Sequence, residues 1–265
     1  MLLTVSHSTH YTYDQPVDYG LQQVRLTPRN WDMQEVLSWD LTIEGGDIET
    51  SYLDHNGTTV HLVSAGRGSE AVTITASGEV QTINTAGVLG PVYGPAPLWY
   101  FCTQTELTTP GEGITALAHG LRDASDKLSA LHALSGSIIV AAPYQTGETW
   151  STTTAEQALT GGGGVCQDHA QIFVSAARAA GIPARYVSGY LMMDDRIDQD
   201  ASHAWAEAHV EGLGWVGFDV SNCISPDERY IRLGSGLDYR DAAPVSGVRL
   251  GDAKESMIVS LQVQQ

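Results

Sequence analysis

No stretch of about 18 apolar residues occurs in the 265-residue chain, which excludes a membrane-crossing helix. The first residues, Met1-Leu2-Leu3-Thr4-Val5-Ser6-His7, lack a basic cluster followed by a sustained apolar stretch, so they do not read as a secretory leader. Basic residues are scarce: 13 Lys and Arg stand against 31 Asp and Glu, a net charge of −18. Such a surface repels phosphate backbones and anionic headgroups. It argues against nucleic acid and membrane as partners and favours neutral or basic substrates. Only three cysteines are present, Cys102, Cys166 and Cys223. An odd, sparse set makes no disulfide framework and points to a reducing compartment, by default the cytoplasm. No Gly-Lys-Ser/Thr follows the glycine run at 161–164, so it is not a phosphate loop, and no second Cys/His pair completes a zinc site from Cys166 and His169. Neither a metal nor a cofactor is expected. What the chain does have is 42% apolar residues and only 17% charged ones, enough to build a core of two modest domains.

The first hundred residues alternate apolar and polar with period two. Leu3, Val5 and His7, then Thr9, Tyr11 and Tyr13, share one face. Further β-rich runs fall at 22–26, 36–43, 58–64, 71–75 and 78–83, separated by turn chemistry such as Asp14-Gln15-Pro16 and His55-Asn56-Gly57. This predicts a small antiparallel sandwich or open barrel over residues 1–100. Its histidines, His7, His10, His55 and His61, lack metal-ligand spacing and read as structural or surface residues. The texture changes between Gly90-Pro91 and Pro97. Leu117, Leu121, Leu128, Leu131 and Leu134 then recur with helical spacing, Gly136 ends or interrupts that helix, and Thr153 with Glu156 forms a capping-box pattern for a short helix through Leu159. The domain boundary falls between about Gly90 and Pro110, with 101–265 as the second domain.

Chemistry concentrates after Gly161-Gly162-Gly163-Gly164. Residues 166–180 read as a helix, with Ala170, Phe173, Ala176, Ala177 and Ala180 on one face and Gly181-Ile182-Pro183 as the stop. Cys166 then sits at the helix N-terminus, where unpaired N–H groups and the dipole favour thiolate. Local sequence leaves a buried structural cysteine equally open. In 203–210, His203, Trp205, Glu207 and His209 alternate with Ala204, Ala206, Ala208 and Val210, and 215–220 alternates too, so the two runs form a hairpin. A three-residue loop, Glu211-Gly212-Leu213, keeps His203 and Asp219 on one face, with Asp219 opposite Trp205 and diagonal to His203. A two-residue loop would turn Asp219 away unless a bulge intervened. Arg185 and Glu207 read as members of structural ion pairs. Trp205, Trp215, Tyr186 and Tyr190 read as core or cleft wall, and Cys102 and Cys223 as structural cysteines.

Four blocks in this order, Gly164-Val165-Cys166-Gln167-Asp168, residues 181–191 (GIPARYVSGYL), His203-Ala204-Trp205-Ala206-Glu207 and Gly214-Trp215-Val216-Gly217-Phe218-Asp219, resemble the bacterial transglutaminase-like proteins. The N-terminal 7–13 (HSTHYTY), Arg25-Leu26-Thr27-Pro28-Arg29 and Gln34, and the closing 238–248 (DYRDAAPVSGV), are similar to that family's flanking segments. The resemblance implies an α+β fold: an N-terminal antiparallel β domain, then a papain-like core with the nucleophile helix packed on an antiparallel sheet. It places the nucleophile on Cys166, the base on His203 and the orienting carboxylate on Asp219. Two positions depart from the family pattern. Val220 stands where a proline is usual, and Gln171 stands where a second histidine is common. The implied activity is thiol-dependent acyl transfer on a peptide or protein amide through a thioester. Hydrolysis is preferred because water is the abundant acceptor. Amine-accepting cross-linking and a catalytically silent binding or scaffold protein remain the alternatives.

Overall fold

Twelve residues of alternating burial form β1 (Leu2–Tyr13), with Leu3, Val5, His7, Thr9 and Tyr11 turned inward. The computed structural model describes residues 1–91 and 95–265; residues 92–94, inside the composition break at Gly90 to Pro97, lie outside the described residues. After β1 come β2 (Tyr19–Val24), β3 (Gln34–Glu44), β4 (Gly46–Leu53), β5 (Thr59–Ala65), β6 (Ala71–Thr82) and β7 (Val88–Gly90). A 3-10 turn (Leu98–Cys102) leads to α1 (Glu112–Arg122), α2 (Lys127–Ala141), α3 (Ala155–Gly161) and α4 (Cys166–Ala179). The chain continues through β8 (Ala184–Leu191), β9 (Asp198–Gln199), β10 (His203–Val210), β11 (Gly214–Phe218), β12 (Tyr230–Gly236), α5 (Tyr239–Ala242), β13 (Val245–Leu250) and β14 (Glu255–Gln264). No helix among the described residues is long and apolar enough to cross a membrane.

Among the described residues the strands form three sheets, in the orders β3-β6-β1-β14-β9, β13-β2-β5-β4 and β12-β8-β10-β11-β7, with antiparallel pairing throughout. The first two enclose one apolar cluster that includes Leu3, Val5, Val24, Val63 and Ile74, the sandwich expected of the N-terminal region. The third carries the helices on one face. Ala206, Ala208, Val210, Val216 and Phe218 from its strands meet Ile172, Phe173, Ala176 and Ala177 of α4. Small side chains on β10 allow the helix to approach the sheet closely, and the resulting burial is the main stabilising term for this layer.

Several expectations are corrected. The division of the chain into 1–100 and 101–265 does not match the sheets. β14 pairs with β1 over Thr4↔Gln264 to Tyr13↔Glu255, and β13 pairs with β2, so residues 245–264 complete the N-terminal sheets, whereas β7 joins the core sheet. The runs at 71–75 and 78–83 are one strand, β6. Its Gly78 has no room for a side chain, since a Cβ there would meet the Ser38 carbonyl oxygen and the Trp39 ring. The strand β4 begins within an expected turn at Gly45-Gly46-Asp47 and runs on through residues given no element, because its side chains are mostly exposed and carry no alternating apolar signal. The leucine series spans two helices that break at residues 123–126, where Asp126 caps α2 by accepting from the Ser129 N–H; Gly136 lies inside α2. The third helix starts one residue later than expected, with Thr154 and Gln157 forming the capping box.

Candidate active site

The glycine run is a helix end and a tight junction. Gly162 caps α3 in the left-handed region, at φ 76°, which glycine adopts without a Cβ penalty. Gly164 lies against the buried Asp168 side chain, 2.8 Å from where a Cβ would stand, and Gly163 lies against Gln145. Gly163 and Gly164 therefore admit the protein's own side chains. Asp168 Oδ2 accepts from the Val165 N–H at 2.9 Å and from Thr149 Oγ1 at 2.6 Å. This ties the loop before α4 to the helix and fixes Cys166 as its first residue. The Cys166 N–H is then one of the donors that an α-helix leaves without an intrahelical partner.

His203 is the first residue of β10, at the end of the sheet where Cys166 packs with Ala170, Tyr186 and Ala204. Its Nε2 donates to Asp219 Oδ2 at 2.7 Å. That leaves Nδ1 as the ring nitrogen not engaged by Asp219, and His203 lines the same cleft as Cys166. Burial by itself lowers the His203 pKa. The Cys166 sulfur and the Asp219 carboxylate outweigh it and raise the imidazole to about 10, so the charged form is favoured at neutral pH. Burial likewise acts to raise Asp219, but its hydrogen bonds with His203, Tyr230 and Asn222 and the His203 charge hold it below the ordinary carboxylate range.

The hairpin register that brings His203 and Asp219 together is the expected one. β10 and β11 pair from Val210↔Gly214 to Ala206↔Phe218 across the three-residue loop 211–213. Continued by one step, this register sets Asp219 opposite Trp205. Val220, in the proline-like position, is buried, and Asp219 still reaches His203.

Sequence reasoning missed two partners of Asp219. Tyr230 Oη donates to Oδ2 at 2.7 Å, and Asn222 donates from its side-chain amide at 2.7 Å and from its backbone N–H at 3.2 Å. Burial and the adjacent carboxylate push the Tyr230 hydroxyl far above its ordinary pKa, so it remains a donor. Tyr230 also meets Trp205 edge-on at 5.5 Å. The Trp205 ring lies over Gly189, where a Cβ would come within 2.6 Å of it, so the glycine facing His203 across β8 makes room for this aromatic cover. No signal in the sequence near Asp219 marks Tyr230, because it arrives from β12 through the tertiary fold.

Other candidates take structural roles. His169 is buried; its Nε2 donates to the Ala142 carbonyl and its Nδ1 accepts from Ser221 Oγ, each at 2.8 Å. Burial lowers its pKa and keeps it neutral. Glu207 is fully buried between Arg185 and Arg232, and Arg185 in turn stacks over Trp215 at 4.0 Å. Structural ion pairs were expected for Arg185 and for Glu207, without partners; the structure joins them to each other and adds Arg232. His7 is buried against Tyr190 and Thr9 and its pKa falls to about 4. Gln171 is buried, with its amide nitrogen near the Thr153 carbonyl. Cys223 is exposed, Cys102 is half-buried, and neither lines the cleft beside Cys166. That cleft, of about 460 Å3, is walled by Tyr144, Thr146, Met193, Arg196 and the segment 199–203.

Two family descriptions match this chain. The transglutaminase-like superfamily core covers residues 115–220 and the bacterial transglutaminase-like N-terminal region covers residues 3–81. A protein of Mycobacterium tuberculosis, itself uncharacterized, is 31% identical over 291 residues, spanning 98% of this chain and 91% of that one. The chain belongs to the bacterial transglutaminase-like family. An uncharacterized Mycobacterium leprae protein is 27% identical over 288 residues and is covered to 98%, as is this chain. In three dimensions, this transglutaminase-like protein is similar to a Cytophaga hutchinsonii protein described as a candidate cysteine protease. The TM-score is 0.78 at 22% identity, over 100% of this chain and 91% of the other. That likeness establishes the fold: an N-terminal antiparallel β region and a papain-like α+β core in which α4 packs on an antiparallel sheet. Within this transglutaminase-like core, Cys166, His203 and Asp219 are contributed by α4, by β10 and by the residue just after β11.

Proposed function

We propose that this transglutaminase-like protein is a thiol-dependent acyl-transfer enzyme that acts on amide bonds of peptides or proteins, with water as its acceptor. The observation that carries the proposal is Cys166 at a helix N-terminus, lining one cleft with a His203 whose ring is tied to an Asp219 carboxylate held by further donors. In this reading the Cys166 thiolate attacks the amide carbonyl carbon, and the C=O π electrons move to oxygen. The oxyanion is stabilised by the Cys166 backbone N–H and one further donor. As the tetrahedral intermediate collapses, the C–N bond breaks, imidazolium His203 gives its proton to the departing amine, and a thioester remains. His203, now neutral, takes a proton from water. The hydroxide equivalent attacks the thioester, the C–S bond breaks, and the acid is released with the Cys166–His203 pair restored. Asp219 keeps Nε2–H of His203 pointed at itself, which presents Nδ1 to the sulfur and to the leaving group.

Incubation of the purified protein with a peptide pool, with and without an added primary amine, tests this reading. Hydrolysed peptides are expected in both arms and are expected to vanish in Cys166→Ala. Amine-linked products in the second arm would make the enzyme a cross-linking transglutaminase. Absence of any turnover, with an unreactive Cys166, would leave a binding protein.

A further inference from the structure

On β14 the inward positions 257, 259, 261 and 263 form a continuous apolar stripe: Met257, Val259, Leu261 and Val263. Leu261 and Val263 are buried, but Met257 is 56% exposed and Val259 is half-buried. Across the ladder they face Tyr11 and Thr9 of β1, which are themselves buried. The sheet face is therefore apolar beyond the point where the covering layer ends. What borders the gap is Tyr239 on one side and the segment Asp200-Ala201-Ser202 on the other, enclosing about 180 Å3. That same segment is a wall of the cleft containing Cys166, and it leads directly into His203. The two hollows thus share a wall of three residues.

Size and charge narrow the occupant. A volume of about 180 Å3 is below the roughly 300–1,000 Å3 of sites that enclose a whole small molecule, so the hollow fits one side chain of a longer chain. His7 at its floor is neutral, since burial lowers its pKa to about 4 and both ring nitrogens are taken by Tyr190 and Thr9. The single formal charge among the lining residues is Asp200, on the cleft side, which disfavours an acidic occupant.

Building on the acyl-transfer reading for the substrate's identity, we infer that this hollow is a specificity pocket for an apolar side chain of a polypeptide substrate whose scissile amide lies at Cys166. The pocket is built by the first and last strands of the chain, which makes the N-terminal sheet part of substrate selection.

The test measures binding and is separate from turnover. Alanine-based peptides carrying one Leu at each position in turn are titrated into Cys166→Ala protein by calorimetry. One Leu position is expected to bind on the order of tenfold tighter than the all-Ala peptide, the scale of discrimination that apolar pockets achieve. Met257→Trp, which fills the hollow from an exposed strand position, and Met257→Asp, which charges it, are each expected to reduce that preference to within about twofold, with unchanged thermal unfolding confirming the fold. Equal affinity for all peptides, or a Leu preference that both variants retain, overturns the inference. Alkylation of wild-type Cys166 by iodoacetamide reports on the acyl-transfer reading separately. Reactive Cys166 without Leu preference refutes the pocket alone. A Met257-dependent preference with inert Cys166 refutes the chemistry and leaves the pocket standing.

Discussion

Asp219 is the residue on which the site's geometry converges. One buried carboxylate accepts from His203, Tyr230 and Asn222, and together these fix both its position and its charge. Charge-assisted hydrogen bonds of this kind contribute more than neutral ones, so deleting one has a measurable effect. Tyr230→Phe removes a single donor while keeping the ring against Trp205. Its expected effect is a loss of about tenfold in kcat/KM, with little change in unfolding midpoint. Asp219→Asn is expected to cost roughly 10^2–10^4-fold, because the amide can present its NH2 to the ring and favour the wrong tautomer. Steady-state kinetics on one peptide substrate ranks the two, and a Tyr230→Phe loss as large as that of Asp219→Asn would contradict the assigned roles.

At the scale of elements, the sheet face opposite α4 is buried and yet carries Glu207, Arg185 and Arg232. Burial acts to raise the Glu207 pKa, and the two guanidiniums outweigh it and hold the carboxyl below its ordinary value. Glu207→Ala leaves two cations facing an empty centre. It is expected to destabilise the fold by roughly 3–5 kcal/mol, read from urea unfolding, whereas removal of the exposed Arg240–Glu106 pair is expected to leave the urea midpoint unchanged. Much of this layer was legible in the sequence. The alternation of 203–210, a helix from Cys166 that stops one residue short of the expected Ala180, and the odd loop or bulge that parity asks for all follow from local periodicity. Arg232, Tyr230 and Asn222 were not legible, because their roles depend on where β12 and the turn after β11 return in space. β4 was hidden for a different reason: both its faces are largely solvated, so period two leaves no trace in its composition.

For the whole molecule, the last twenty residues matter to the first twenty. β14 pairs along nearly the full length of β1, and β13 pairs with β2, so the chain's end closes both N-terminal sheets. Strand pairing across such sequence distance leaves no local signature, and a division at residue 100 therefore misassigned the tail. Truncation after Pro244 is expected to expose Leu3, Val5 and the free edge of β1, and to yield protein that lacks a cooperative thermal transition by circular dichroism. A truncated form that melts like the full chain would show that the tail is an accessory.

If Cys166 and His203 form one reactive pair, alkylation of Cys166 depends on His203, and this dependence is the most direct measurement. His203 is raised from 6.5 to about 10, so the contribution of the charged imidazole is complete below pH 6.5 and is lost as pH rises through about 10. Iodoacetamide labelling of each cysteine is followed by mass spectrometry, with exposed Cys223 as the reference within the same molecule. At pH 7 Cys166 of the wild type is expected to be labelled at least about tenfold faster than Cys223, and His203→Ala is expected to remove that difference. A wild-type Cys166 labelled no faster than Cys223, or a rate advantage unchanged by His203→Ala, would contradict the pairing.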